Sequence, residues 1–116
     1  MMLRTTLMRA LSVLAVTASC AIASPAHAAD PVVGNAEAAR AKVSMCIGCH
    51  GIPGYKSSFP EVYHVPMIAG QNAKYIEAAL REYASGARSH PTMDSVAKSL
   101  SEQDIADVAA YYANLK

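Results

Sequence analysis

Cys46-Ile47-Gly48-Cys49-His50 constrains this chain more than any other stretch. Two thiols one helical turn apart, followed at once by an imidazole, form the C-x-x-C-H pattern of covalent c-type haem attachment. Each thiol can add to one of the two vinyl groups of a single porphyrin, and His50 can then bind the iron from below. A chain carrying this motif has to wrap a flat apolar plate. Competing chemistries fit less well. Adjacent Cys49 and His50 do not provide the ligand spacings of a structural zinc site. A redox-active dithiol needs a βαβ context that nothing here suggests. A disulfide between Cys46 and Cys49 closes a tiny loop and stabilises little.

Residues 1–28 read as a secretory signal peptide. Arg4 and Arg9 supply its positive start, and Ala10 to Ala23 is an almost unbroken apolar stretch. Pro25-Ala26-His27-Ala28 then offers an A-x-A cleavage site. The apolar stretch is shorter than the roughly 20 residues of a spanning helix, so cleavage is expected over a retained anchor. Cys20 can end a lipoprotein signal, but Thr17 stands where an apolar residue is expected, and Cys20 is read as leaving with the peptide. Removing 28 of 116 residues leaves 88, a single domain over 29–116. The ten Lys and Arg lose Arg4 and Arg9, leaving eight against nine Asp and Glu, a net charge of −1. That balance argues neither for nucleic acid nor for a strongly anionic membrane surface, and no nucleic-acid partner is expected. Export suits the motif, because c-type haem is attached outside the cytoplasm. A domain this small has a marginal core, so the haem itself is expected to be part of it.

The periodicity predicts an all-α domain of about four helices around one haem. Asn35 is a plausible N-cap. Ala39, Val43 and Cys46 fall on one face of a helix that runs into the motif. Gly51, Pro53 and Gly54 break it. Residues 51–71 look irregular, and a loop of that length needs a reason such as wrapping a cofactor. Asn72 caps a second helix with Tyr75, Ile76, Ala79, Leu80 and Tyr83 on one stripe, ended by Gly86. Residues 87–93 form a second loop, with a short helical turn from Asp94 to Ser99. Ser101 and Asp104 make a near capping box for the last helix, whose buried face is Ile105, Val108, Ala109 and Tyr112. No stretch alternates like a strand.

His50 is the proximal iron ligand, and its Nδ1–H is expected to donate to a carbonyl. The sixth position has five candidates: Met45, Met67, Met93, His64 and His90. Met45 precedes the motif on the same helix and cannot reach across the ring. Met67 lies in the wrapping loop, and Met93 in a loop whose ends are pinned by helices. Met93 leads; His64 or His90 would give bis-His ligation.

The chain resembles small bacterial class I mono-haem c-type cytochromes over most of residues 29–116. Cys46-Ile47-Gly48-Cys49-His50-Gly51 is similar to their haem motif, and Val65-Pro66-Met67-Ile68-Ala69-Gly70-Gln71 to their P-x-L-A-G-Q segment. Gly86-Ala87-Arg88 followed by Met93 resembles their ligand loop, and Leu100-Ser101 through Tyr111-Tyr112 their final helix. The resemblance implies haem c held covalently through Cys46 and Cys49. It implies Met93 as distal ligand, the Pro66 carbonyl on His50 Nδ1–H, and Ile68 against the haem edge. It implies Arg88 near a propionate and Tyr111 where the first and last helices cross. Ala39 stands where such proteins often place glycine at that crossing, and residues 52–64 are specific to this chain.

The function so implied is one-electron transfer between redox partners in the periplasm, with no substrate turned over. Those partners would be a periplasmic dehydrogenase, an oxidase or a membrane-bound cytochrome complex; the membrane itself would be reached only through a partner or a retained anchor. A Met/His iron has no open site, so the chain's work is to hold ligands and exclude water. Two alternatives differ in class or address. A haem sensor would need a labile sixth ligand, and an electron-relay subunit of a periplasmic dehydrogenase would use the same chemistry inside a complex.

Overall fold

The computed structural model describes residues 30–59 and 62–116, so the signal peptide read over 1–28 lies outside the described residues. Among the described residues the fold is all-α, with one small two-stranded sheet. Its helices are α1 (Ala36–Ala39), α2 (Ser44–His50), α3 (Ala73–Ser85), α4 (Pro91–Lys98) and α5 (Glu102–Asn114). Strands β1 (Lys56–Ser57) and β2 (Tyr63–His64) lie between α2 and α3.

Local hydrogen-bond chemistry sets most helix ends. The Asn35 side chain accepts from the N–H groups of Glu37 and Ala38, and that of Asn72 from Lys74 and Tyr75. Both relieve orphan donors of a first turn. Ser101 and Asp104 form a complete reciprocal capping box. Gly86 closes α3 with φ +85°, a left-handed conformation that glycine adopts without a Cβ penalty. The single helix expected over 36–50 is two, separated by turns at 40–43. Ala39 and Val43 are buried as its periodicity predicted, and Cys46 is half-buried on the same face.

The core lies where α5 meets α1 and α3, and α4 packs on α3. Ile76, Leu80, Ile105, Val108 and Tyr112 are its larger buried side chains, with Ala39, Ala97 and Ala109 between them. Full burial of one such large apolar group stabilises by about 1.5–3 kcal/mol. The close approach of the segment before α1 to α5 is made by Gly34. A Cβ there would run into the backbone carbonyl of Ala106. Glycine is thus needed at this crossing, but five residues before Ala39, the position that the resemblance marks. Gly34→Ala is expected to cost about 1–3 kcal/mol through overpacking against backbone that cannot yield. Thermal unfolding checks this.

The segment is also tied down by polar contacts. The Asn35 N–H donates to Asp107 Oδ1 at 2.8 Å, and Gln103 Nε2 donates to both Val33 O at 2.9 Å and Asp107 Oδ1 at 2.8 Å. The bond from Asn35 holds the buried Asp107 carboxyl below its ordinary value.

Two expectations are corrected. α4 begins at Pro91, not Asp94, so Met93 sits in a helical first turn and not in a loop. Within 51–71, read as irregular, β1 and β2 form an antiparallel pair with Lys56 opposite His64 and Ser57 opposite Tyr63.

Candidate haem site

Between α2, the hairpin, the 65–71 segment, α3 and α4 lies a cleft of about 250 Å³. His50 reaches it from the last turn of α2, where Gly51 ends the helix. Its Nδ1 stands 2.7 Å from the carbonyl oxygen of Pro66. A carbonyl oxygen only accepts, so Nδ1 carries the proton and Nε2 keeps its lone pair for a metal. Gly70 N–H donates to Tyr112 O at 2.8 Å, which fastens the 65–71 segment to the end of α5.

Cys49, His50, Pro66, Ile68 and Met93 all line the cleft. Ile68 and Met93 also pack on the core cluster. Cys46 lies outside the lining, half-buried against the same cluster. Cys46 and Cys49 are both free thiols, not a disulfide, and burial pushes the Cys46 thiol above its ordinary value. The Tyr112 hydroxyl is buried without a hydrogen-bond partner. Burial, and then the neighbouring Cys46, push its ionisation up to about 12. An unpartnered hydroxyl adds nothing to stability. Tyr112→Phe is therefore expected to leave the unfolding free energy unchanged or raise it by up to about 1 kcal/mol. A loss above that in denaturant unfolding would reveal a bond the hydroxyl makes.

The five candidates for the sixth iron position separate. Met45 and His64 are exposed and stand outside the lining, whereas Met67, His90 and Met93 line the cleft. Met67 directly follows Pro66, on the side already engaged with His50. The His90 Nδ1 is buried with no partner. Arg88 also lines the cleft, with its guanidinium 5.9 Å from the Tyr75 ring centroid and 5.4 Å from that of Tyr83, and pairs with Glu82 at 3.4 Å.

The residues fit a covalent haem. The walls are largely apolar, one imidazole is held with its metal-binding nitrogen free, and a helical turn carries two unpaired thiols beside it. Among the described residues, no group of three or more His, Cys, Asp or Glu side chains is arranged to hold a bare metal ion.

Sequence reading missed the start of α4 and the hairpin wall. Pro91 at the first helical position, preceded by an extended His90, was the available signal for the first. Two-residue strands carry too little alternation to signal the second.

A family model described as Cytochrome c matches residues 36–116. The chain is 37% identical over 84 residues to cytochrome c-554(548) of Halomonas halodenitrificans, covering 70% of this chain and 96% of that one. It is 34% identical over 95 residues to the cytochrome subunit of sulfide dehydrogenase of Chlorobaculum tepidum, covering 80% and 82%. It is 38% identical over 91 residues to cytochrome c4 of Pseudomonas aeruginosa, covering 78% of this chain but only 41% of that longer protein.

Proposed function

Because this chain belongs to the cytochrome c family, we propose that it is a periplasmic mono-haem electron carrier whose iron is held by His50 and Met93. Haem c, bound through Cys46 and Cys49, supplies the one-electron Fe(II)/Fe(III) couple. The chain supplies the rest. Pro66 holds the tautomer and plane of His50. Ile68, Ile76 and Leu80 keep water from the cleft. Met93 enters from a helical turn pinned on the core.

The observation that carries this reading is that His50, its orienting carbonyl and Met93 all line one apolar cleft. With His50 and Met93 both given to the haem, the chain would leave it no place for a substrate, so the protein is read as a carrier and not an enzyme. Export by the 1–28 signal would place it in the periplasm. No helix among the described residues is long and apolar enough to cross a membrane.

Its partners are proposed to be redox proteins met in short-lived encounters, which bury less than about 1,200 Å². The likeness to a dehydrogenase's cytochrome subunit favours a dehydrogenase as donor, met freely or as a relay subunit. Absorption spectra of the purified holoprotein, oxidised and reduced, with and without carbon monoxide, test the reading. A closed carrier leaves its reduced spectrum unchanged on mixing. Prompt carbon monoxide binding overturns it in favour of a ligand-binding sensor.

A further inference from the structure

Strands β1 and β2 pair between the haem motif and Pro66. Successive residues of a strand face opposite sides. Ser57 and Tyr63, a cross-strand pair, line the cleft, while Lys56 and His64 are exposed. A two-stranded hairpin is marginal in water by itself, so contacts with the rest of the domain must hold it. One such contact is specific. The Tyr63 ring lies 5.1 Å from the His90 ring, tilted by 59°, within the separation that aromatic pairs favour.

His90 is the N-cap of α4 and makes no side-chain cap bond. Its N–H donates to Asp94 Oδ1 at 3.0 Å, and Ser89 Oγ donates to Asp94 Oδ2 at 3.2 Å. Pro91 fixes the backbone at the next position. The first turn of α4 is therefore held from within by Asp94 and Pro91, and from the hairpin by Tyr63. Met93 belongs to that turn. Three residues after Tyr63, the Pro66 carbonyl engages His50. One short segment thus touches α4 at one end and the proximal imidazole at the other.

We infer that Tyr63 is a positioning residue for the distal iron ligand: packed on His90, it holds the first turn of α4, and Met93 with it, against the cleft. This rests on the reading of Met93 as that ligand. Tyr63 acts through His90 and α4, not on the iron. Tyr63 is 53% exposed, so the ring can be removed without opening the core.

The test titrates the ferric holoprotein with imidazole, which binds iron only after Met93 has left. Apparent affinity then scales with the fraction of molecules whose ligand is off. Tyr63→Ala is expected to bind imidazole about 3- to 10-fold more tightly, the factor set by loss of one aromatic pair. Tyr63→Phe keeps the ring and is expected to bind like the parent. His90→Ala removes the other half of the pair and is expected to tighten binding by a similar factor. The Tyr63→Ala/His90→Ala double variant should gain no more than either alone.

Equal imidazole affinity in parent and Tyr63→Ala, with the methionine–ferric charge-transfer band present in both, overturns the positioning role and leaves Met93 ligation standing. A fully additive double variant overturns it as well. Absence of the band from the parent overturns both readings together.

Discussion

Replacing Met93 by alanine is expected to abolish the methionine–ferric charge-transfer band, open the iron to carbon monoxide and lower the reduction potential. Met93 lines the cleft and packs on the core from the first turn of α4. An alanine there cannot reach the iron. A thioether favours the reduced iron, and axial ligands move haem potentials across about 0.8 V. A fall on the order of 0.1 V is a modest share of that range. The rival outcome is informative. His90 lines the same cleft with an unpartnered buried nitrogen, and Met67 lines it directly after Pro66. If either were the native ligand, Met93→Ala would keep its spectrum, and the assignment would fall. Visible spectra and a potentiometric titration of the variant decide this.

The second large effect is on stability. The Cys46→Ser/Cys49→Ser double variant is expected to release its haem into acid–acetone and to lose its cooperative melting transition. Among the described residues, only six buried core residues are larger than alanine: Val43, Ile76, Leu80, Ile105, Val108 and Tyr112. Backbone ordering costs about 1–2 kcal/mol per residue, which so small a core cannot outweigh by a wide margin. A haem held in the cleft lined by α3, α4 and the 65–71 segment would therefore form part of the core. Without its covalent tether the domain loses several kcal/mol, each shifting the midpoint by about 4–8 °C in a chain of this size. Circular dichroism on heating gives the answer. A double variant that melts like the parent would show that the polypeptide core suffices.

How much of this could be read from the residues follows the range of the physics involved. Helix ends at Asn35, Asn72, Gly86 and Ser101 were legible because each is decided by a side chain bonding its own neighbours. The buried faces of α3 and α5 were legible because periodicity reports burial directly. The haem motif is local too. The approach of Gly34 to Ala106 spans 72 positions and left no mark beyond one glycine among six. The hairpin escaped because two-residue strands give no pattern, and its anchor, His90, is 27 residues from Tyr63. The start of α4 is marked by Pro91 and not by Asp94, because proline at a first helical position is already set in the helical φ and gives up no needed N–H.

The half-buried Cys46 has a bearing on how the holoprotein is made. The thiolate is the form that adds to a vinyl group, and burial makes it scarcer at Cys46. Part of that burial comes from the cluster containing Tyr112, on the last helix of the chain. α5 docks on α1 across more than 60 positions, and pairings of such long separation are slow to form. Thioether chemistry at Cys46 is thus easiest on a chain still open. Attachment before α5 docks is the order that this packing of Cys46 would favour.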